Sequence, residues 1–256
     1  MLFRSFCRGW TEASCWLRAV LEPAARVRFI NTDAVPASQE EAKGNRTVNP
    51  TEVRVVTQLV DGLLAAGVPA AEVGVMTHYR SQLALLKHQL RGPRTAAVEL
   101  HTADRFQGRD KEVVVLSLVR SNDSQSIGDL LKDWRRINVA FTRARTKLLV
   151  VGSRATLRGA GDAEMVARFV RLMEARDWVY DLPPDALDAH CFDDAAAPPA
   201  TGPPSTQRSA SSPRKTGGTG AAAPKMKTPG KRGRVTDRAL LRGRPVLQDV
   251  FHELMS

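Results

Sequence analysis

Between residues 27 and 181, short apolar runs rich in β-branched residues alternate with stretches whose apolar positions recur every three or four residues. The runs 27–31, 73–77, 97–101, 113–119 and 147–152 read as strands, and the stretches 51–66, 82–90, 134–144 and 164–176 as helices. The helix at 51–66 is marked by Asn49-Pro50 ahead of it, by Val53, Val56, Leu59, Val60, Leu63 and Leu64 along one face, and by Gly67 behind it. Val113-Val-Val-Leu-Ser-Leu-Val119 is apolar almost without a break, as expected for a central parallel strand covered on both faces. Strand–helix alternation over this length predicts an α/β fold, a doubly wound parallel sheet. No internal repeat is visible.

Charge divides the chain unevenly. The 256 residues carry 38 Lys and Arg against 27 Asp and Glu, a formal charge of +11, which makes a polyanion the first partner to expect. Between 201 and 245, 11 bases meet one acid, Asp237, among 7 Gly, 6 Pro and 10 Ser or Thr. That composition predicts a disordered basic arm, because it offers too little apolar surface to offset the entropy of ordering. Three scattered cysteines, Cys7, Cys15 and Cys191, suit neither a disulfide framework nor a four-cysteine metal site, and predict a reducing, intracellular compartment. The five histidines show no ligand spacing, and no apolar run approaches the roughly 18 residues of a membrane span.

In doubly wound sheets ligands lie beyond the carboxyl ends of the strands, and three segments there are rich in Arg, amide and hydroxyl groups: Thr77-His-Tyr-Arg-Ser-Gln82, Thr102-Ala-Asp-Arg-Phe-Gln-Gly-Arg-Asp110 and Arg135-Arg-Ile-Asn-Val-Ala-Phe-Thr-Arg-Ala-Arg145. Such groups suit phosphate. On a helix, Arg136 and Arg143 lie seven apart on one face, as a clamp for triphosphate oxygens or as a solvated charged stripe.

Taken in order, VGVMTHYRSQ resembles motif IV, HTADRFQGRDKEVVVLS motif V and RRINVAFTRAR motif VI of the superfamily 1 helicases, in the Upf-like 1B branch. Within that branch the match is closest to the replication helicase–nucleases and runs from about Trp16 to Pro183. The resemblance implies a RecA-like second motor domain of a P-loop NTPase that moves 5′ to 3′ on DNA in replication and repair, in flap processing and end resection. It implies Arg143 as the arginine finger; Gln107, Gly108, Asp110, Arg136, Tyr79 and Arg80 as nucleotide-side residues; and Thr77 and Thr102 as contacts to the strand. Asp110 stands where most relatives place Glu, and His78 where they often have Pro.

No G-x-x-x-x-G-K-[ST] occurs in the sequence, and no Asp-Glu pair follows an apolar strand. ATP and Mg²⁺ are therefore expected in the complete enzyme only, with the metal ligands outside this chain, and no iron–sulfur cysteine spacing is present. The expected partners are single-stranded or flap DNA, the first RecA-like motor domain, and single-strand-binding or clamp proteins, with no membrane. The chain as given is expected to be a fragment, a truncated isoform or a partial gene model, inactive as an ATPase alone. The alternatives are a non-catalytic nucleic-acid- or partner-binding protein on the same fold, and part of an Upf-like RNA helicase.

The expected organisation is a lead-in at 1–24, the motor domain at 25–183, a linker and basic tail at 184–245 and a short amphipathic helix at 246–256. The expected location is the nucleus. Leu2, Phe3, Phe6 and Trp10 with Arg4 and Arg8 give a mitochondrial transit pattern as a second reading.

Overall fold

A computed structural model describes residues 15–188 except 45, 107, 162 and 163. The elements run α1 (Cys15–Leu21), β1 (Val27–Asn31), β2 (Glu41–Lys43), β3 (Arg46–Val48), α2 (Pro50–Ala65), β4 (Val73–Thr77), α3 (Arg80–Gln89), β5 (Glu99–Thr102), β6 (Lys111–Ser117), α4 (Gly128–Lys132), α5 (Trp134–Phe141), β7 (Ala144–Gly152), α6 (Arg154–Gly159), α7 (Met165–Ala175) and β8 (Val179–Asp181). β2 and β3 form a small antiparallel hairpin. The other six strands form one parallel sheet in the order β5-β4-β6-β7-β1-β8, a RecA-like doubly wound arrangement.

The period of two along each strand divides the core. Val73, Val75, Val113, Val115, Leu149 and Val151 face α1, α2 and α3, where Leu17, Val20, Val56, Leu59, Leu63 and Leu86 meet them. Met76, Val114, Leu116, Leu148 and Val150 face α4 to α7, where Ile137, Phe141, Leu157, Phe169 and Met173 close the second layer. Phe141 and Phe169 stack there with centroids 3.7 Å apart. Because both faces of β6 are covered, its sequence has no polar alternation to show.

Local chemistry sets the ends of the elements. Asn49 caps α2, its side-chain oxygen accepting from the Glu52 amide at 2.9 Å, and Pro50 opens the helix. At the other end Gly67, with φ of 86°, lets its own N–H reach the Leu64 carbonyl and the Val68 N–H reach Leu63. The helix expected over 134–144 ends at Phe141. The Thr142 hydroxyl donates to the Asn138 carbonyl at 2.8 Å, and Ala144 already pairs with Lys111 in the sheet, so β7 starts three residues earlier than its apolar run. β6 stops at Ser117 rather than Val119, because Val119 has φ of 72° and turns the chain out of the ladder.

The folded unit is wider than 25–183. Trp16, Leu17, Val20 and Leu21 of α1 are buried, as are Ala186 and Leu187, and the Trp16 indole donates to the Ala186 carbonyl at 3.0 Å. Lys147, buried at the start of β7, donates through Nζ to the carbonyls of Glu22 and Ala25 behind α1. The opening transit-like segment, the basic arm and the helix expected at 246–256 lie outside the described residues.

Candidate functional site

All six strands of the main sheet point the same way, so every residue just before a strand shares one edge and every residue just after a strand shares the other. The residues expected to form one nucleotide site divide between these two edges.

At the strand-start edge, Asp110 precedes β6 and Arg143 precedes β7, and the Lys111 amide donates to the Arg143 carbonyl at 3.1 Å. Arg143 is two residues beyond the end of α5 rather than on it. Its Nε donates to the Val139 carbonyl at 3.2 Å, its Nη1 to Asp110 Oδ1 at 3.1 Å and its Nη2 to Thr142 Oγ1 at 3.0 Å. A guanidinium has five N–H donors; three are engaged here, and the side chain is still 21% exposed. Gly108 has φ of 78°, with nothing within 4 Å of where a Cβ would stand. Glycine is therefore set there by the left-handed backbone, beside open space. Arg145 is separate, 3.9 Å from Glu112.

At the strand-end edge, Thr77 and Thr102 are register partners at the ends of β4 and β5. Thr77 is fully buried and its Oγ1 accepts from the Tyr79 amide at 3.3 Å, so it closes the turn after β4. Thr102 sits at the rim, 9% exposed. The Tyr79 hydroxyl donates to the Ile127 carbonyl at 3.3 Å, and burial pushes its pKa up to about 12. Arg80 opens α3 and is exposed. Arg136 pairs with Asp104 and with Asp133, each at 3.4 Å. Tyr79, Arg80 and Arg136, expected beside Arg143, thus stand at the opposite edge from it. A one-face clamp of Arg136 and Arg143 does not form, because the helix that would align them ends between them. Gln107 lies outside the described residues.

The segment after β5 joins the edges. It leaves Thr102 at one, crosses the face of β4 and β6, and arrives at Asp110 on the other. Phe106 anchors the crossing, fully buried. A Cβ on Gly74 of β4 would stand 2.5 Å from Phe106 Cζ, so only glycine leaves room for the ring.

Two buried ionisable groups stand at the strand-end edge, and of these Glu52 was not singled out from sequence. His78 is buried against Asp104 and α5 with neither ring nitrogen in a well-formed hydrogen bond; burial pushes its pKa down to about 4, outweighing a backbone contact to Arg136 and the pull of Asp104. Glu52, fully buried, accepts through Oε2 from Ser117 Oγ at 2.6 Å and from the Val119 amide at 3.0 Å, while Oε1 has no partner. Burial pushes its pKa up to about 8. Gln82 ties this acid to motif IV, donating to Ser117 Oγ and to the Asn49 carbonyl, each at 3.1 Å. The Asn-Pro-x-Glu start of α2 was readable as a cap, but nothing local shows that Glu52 points into the protein.

The profile of the AAA domain matches residues 6–155, more than half of the chain. The chain belongs to this family, in its Upf-like helicase branch. It is similar to the DNA replication ATP-dependent helicase/nuclease DNA2 of Saccharomyces cerevisiae, with 42% identity over 179 residues, 70% of this chain and 12% of that protein. The protein of the same name from Xenopus laevis is 39% identical over 176 residues, and that from Homo sapiens 37% over 176 residues, each match covering 69% of this chain and 16% of the relative. The chain therefore spans between 12% and 16% of the length of these relatives.

Proposed function

We propose that this chain is the second RecA-like half of an ATP-dependent DNA helicase motor of the helicase/nuclease type, working in the nucleus in replication and repair, including flap processing and end resection. In this reading the strand-start edge faces ATP held by a first motor domain, and the strand-end edge carries the DNA. The supporting observation is Arg143: a guanidinium held by three local bonds at the sheet edge, next to the open Gly108 turn, with two donors left.

Donors held in place in this way stabilise charge that builds on the γ-phosphate as it transfers, without having to reorganise at that moment. Arg143 supplies the fork, and Asp110, Val139 and Thr142 hold its plane. The chain lacks the other half of such a site. It has no phosphate loop, and among the described residues no group of three or more His, Cys, Asp and Glu side chains could hold a metal ion. In this reading phosphate cradling and the Mg²⁺ ligands fall to the first domain. At the other edge Thr102, with Arg80 close by, offers contacts to the sugar–phosphate backbone.

A chimera tests the reading. Residues 15–188 would replace the matched segment of the Saccharomyces cerevisiae relative, and DNA-stimulated ATP turnover would be measured. Turnover should persist in the chimera and be absent from the purified 256-residue chain. A chimera that folds and binds DNA but does not turn over ATP would sink the reading.

A further inference from the structure

Two large apolar side chains are exposed among the described residues, Leu85 at 37% and Trp134 at 41%. Trp134 is the first residue of α5, at the strand-end edge, one position after the Asp133 cap. The helix does not need it for its core contacts: Ile137, Ala140 and Phe141 supply those, all essentially buried. The indole is not loosely held, however. The Arg135 guanidinium lies 5.2 Å from the ring centroid, a cation–π contact that backs the ring.

The surroundings are basic in a particular way. Arg136 next door is neutralised by Asp104 and Asp133. Arg135, Arg105 in the turn after β5 and Arg80 at the start of α3 are all exposed and make no ion pair among the described residues. They share this edge with Thr102. A protein partner bringing an apolar patch to Trp134 would have to strip water from those three guanidiniums, at a cost that burial of one ring does not offset. A single nucleic-acid strand satisfies both parts at once, since every base offers a π-face and every linkage a negative charge.

We propose that the free face of Trp134 is a stacking platform for one base of a single DNA strand, with its neighbouring phosphates on Arg80 and Arg105 and with Arg135 holding the ring from behind. This rests on the reading of the strand-end edge as the DNA track and adds to it a defined base-binding position.

The test compares two oligonucleotides of equal length, one of thymidines and one of abasic sites, binding to the full 256-residue chain by fluorescence anisotropy over a range of salt. The basic arm meets the same phosphates in both, so their difference isolates contacts to bases. Trp134→Ala should weaken binding of the thymidine strand about tenfold and leave the abasic strand unchanged, within the range that stacking on one aromatic ring contributes. Trp134→Phe should keep most of the preference and controls for folding. The salt dependence should survive both changes, because neither removes a charge, whereas Arg105→Ala should lower its slope by about one phosphate contact.

Equal losses on both strands, or no loss on either, would overturn the stacking position. The wider reading fails separately. If Trp134→Ala is silent but Arg80→Glu and Arg105→Glu weaken binding, the edge is still the track and only the platform is lost. If none of these substitutions changes binding, the assignment of the edge itself falls.

Discussion

The two edges of the sheet use arginine in opposite ways. At the strand-start edge one guanidinium, Arg143, is fixed by an ion pair, a helix-end carbonyl and a hydroxyl. At the strand-end edge Arg80, Arg105 and Arg135 are exposed and make no ion pair among the described residues, and the fixed elements are a buried threonine, a buried histidine and an indole backed by Arg135. A rigid, partly neutralised donor suits one event at one place, the redistribution of charge on a single phosphate. Exposed cations around a flat ring suit a polymer that has to slide. Contrasting demands of this kind on a single sheet require the edges to be separate and yet joined, and the crossing anchored by Phe106 on Gly74 joins them.

The largest effect that can break this comparison is at Arg143. In the chimera, Arg143→Ala should lower ATP turnover by about three orders of magnitude, the scale of an arginine finger, while nucleotide affinity changes far less. Arg143→Lys should recover little, because an ammonium cannot hold the planar fork between Asp110 and Thr142. Arg145→Ala, whose side chain lies toward Glu112 instead, should leave turnover near its starting value. Equal losses at 143 and 145 would make the edge merely electrostatic.

Much of this was legible in the sequence. The hydrophobic periods place the central strands β1, β4, β6 and β7 and the helices α2 and α7 to within a few residues, because long apolar runs buried on both faces leave little choice of position. The motifs pick out three segments that the structure places at the two ends of the strands of one sheet. What they conceal is direction. Seven residues of helix would put Arg136 and Arg143 on one face, but Thr142 ends the helix, and the intervening turns carry the two arginines to opposite edges. Short elements are missed for a related reason: α1, α6, β8 and the β2–β3 hairpin are three to seven residues long, too few for a period to register. The burial of Glu52 has no local signal at all, since an acid in the first turn of a helix reads as a favourable, solvated charge.

The link between the edges is the next most sensitive point. Gly74→Ala should destabilise the chain by about 1–3 kcal/mol, the usual cost of overfilling a packed core, because the atom it meets belongs to a fully buried ring. Urea unfolding of the full chain measures it. A neutral result would mean that Phe106 moves aside and that the crossing is not a rigid connection.

Glu52 distinguishes the edges by pH. Its folded pKa of about 8 lies above the ordinary value of 4.5, so between those values the folded protein keeps a proton that the unfolded chain releases, and stability falls as pH rises. The slope is at most about 1.4 kcal/mol per pH unit. Glu52→Gln keeps an acceptor for Ser117 and Val119 and has nothing to ionise. The difference in unfolding free energy between wild type and variant, followed from pH 5 to 8, should therefore carry this slope, while the titrations of His78 and Lys147 cancel. A difference independent of pH would mean that water reaches the carboxyl and that the Val119 turn is held by other groups.

The smallest effect is expected at Asp110. Its bond to Arg143 joins two partly exposed side chains, 33% and 21% accessible, and exposed pairs of this kind contribute about 0.2–1 kcal/mol. Asp110→Asn leaves an oxygen able to accept from Nη1 and removes only the charge, while the Val139 and Thr142 bonds still fix the plane of the guanidinium. Turnover of the chimera should fall by no more than about fivefold, with Arg143→Ala dominant in the double variant. If Asp110→Asn instead approached the loss at Arg143, the carboxylate would have to touch the nucleotide itself, and the strand-start edge would hold two reacting groups rather than one donor and its support.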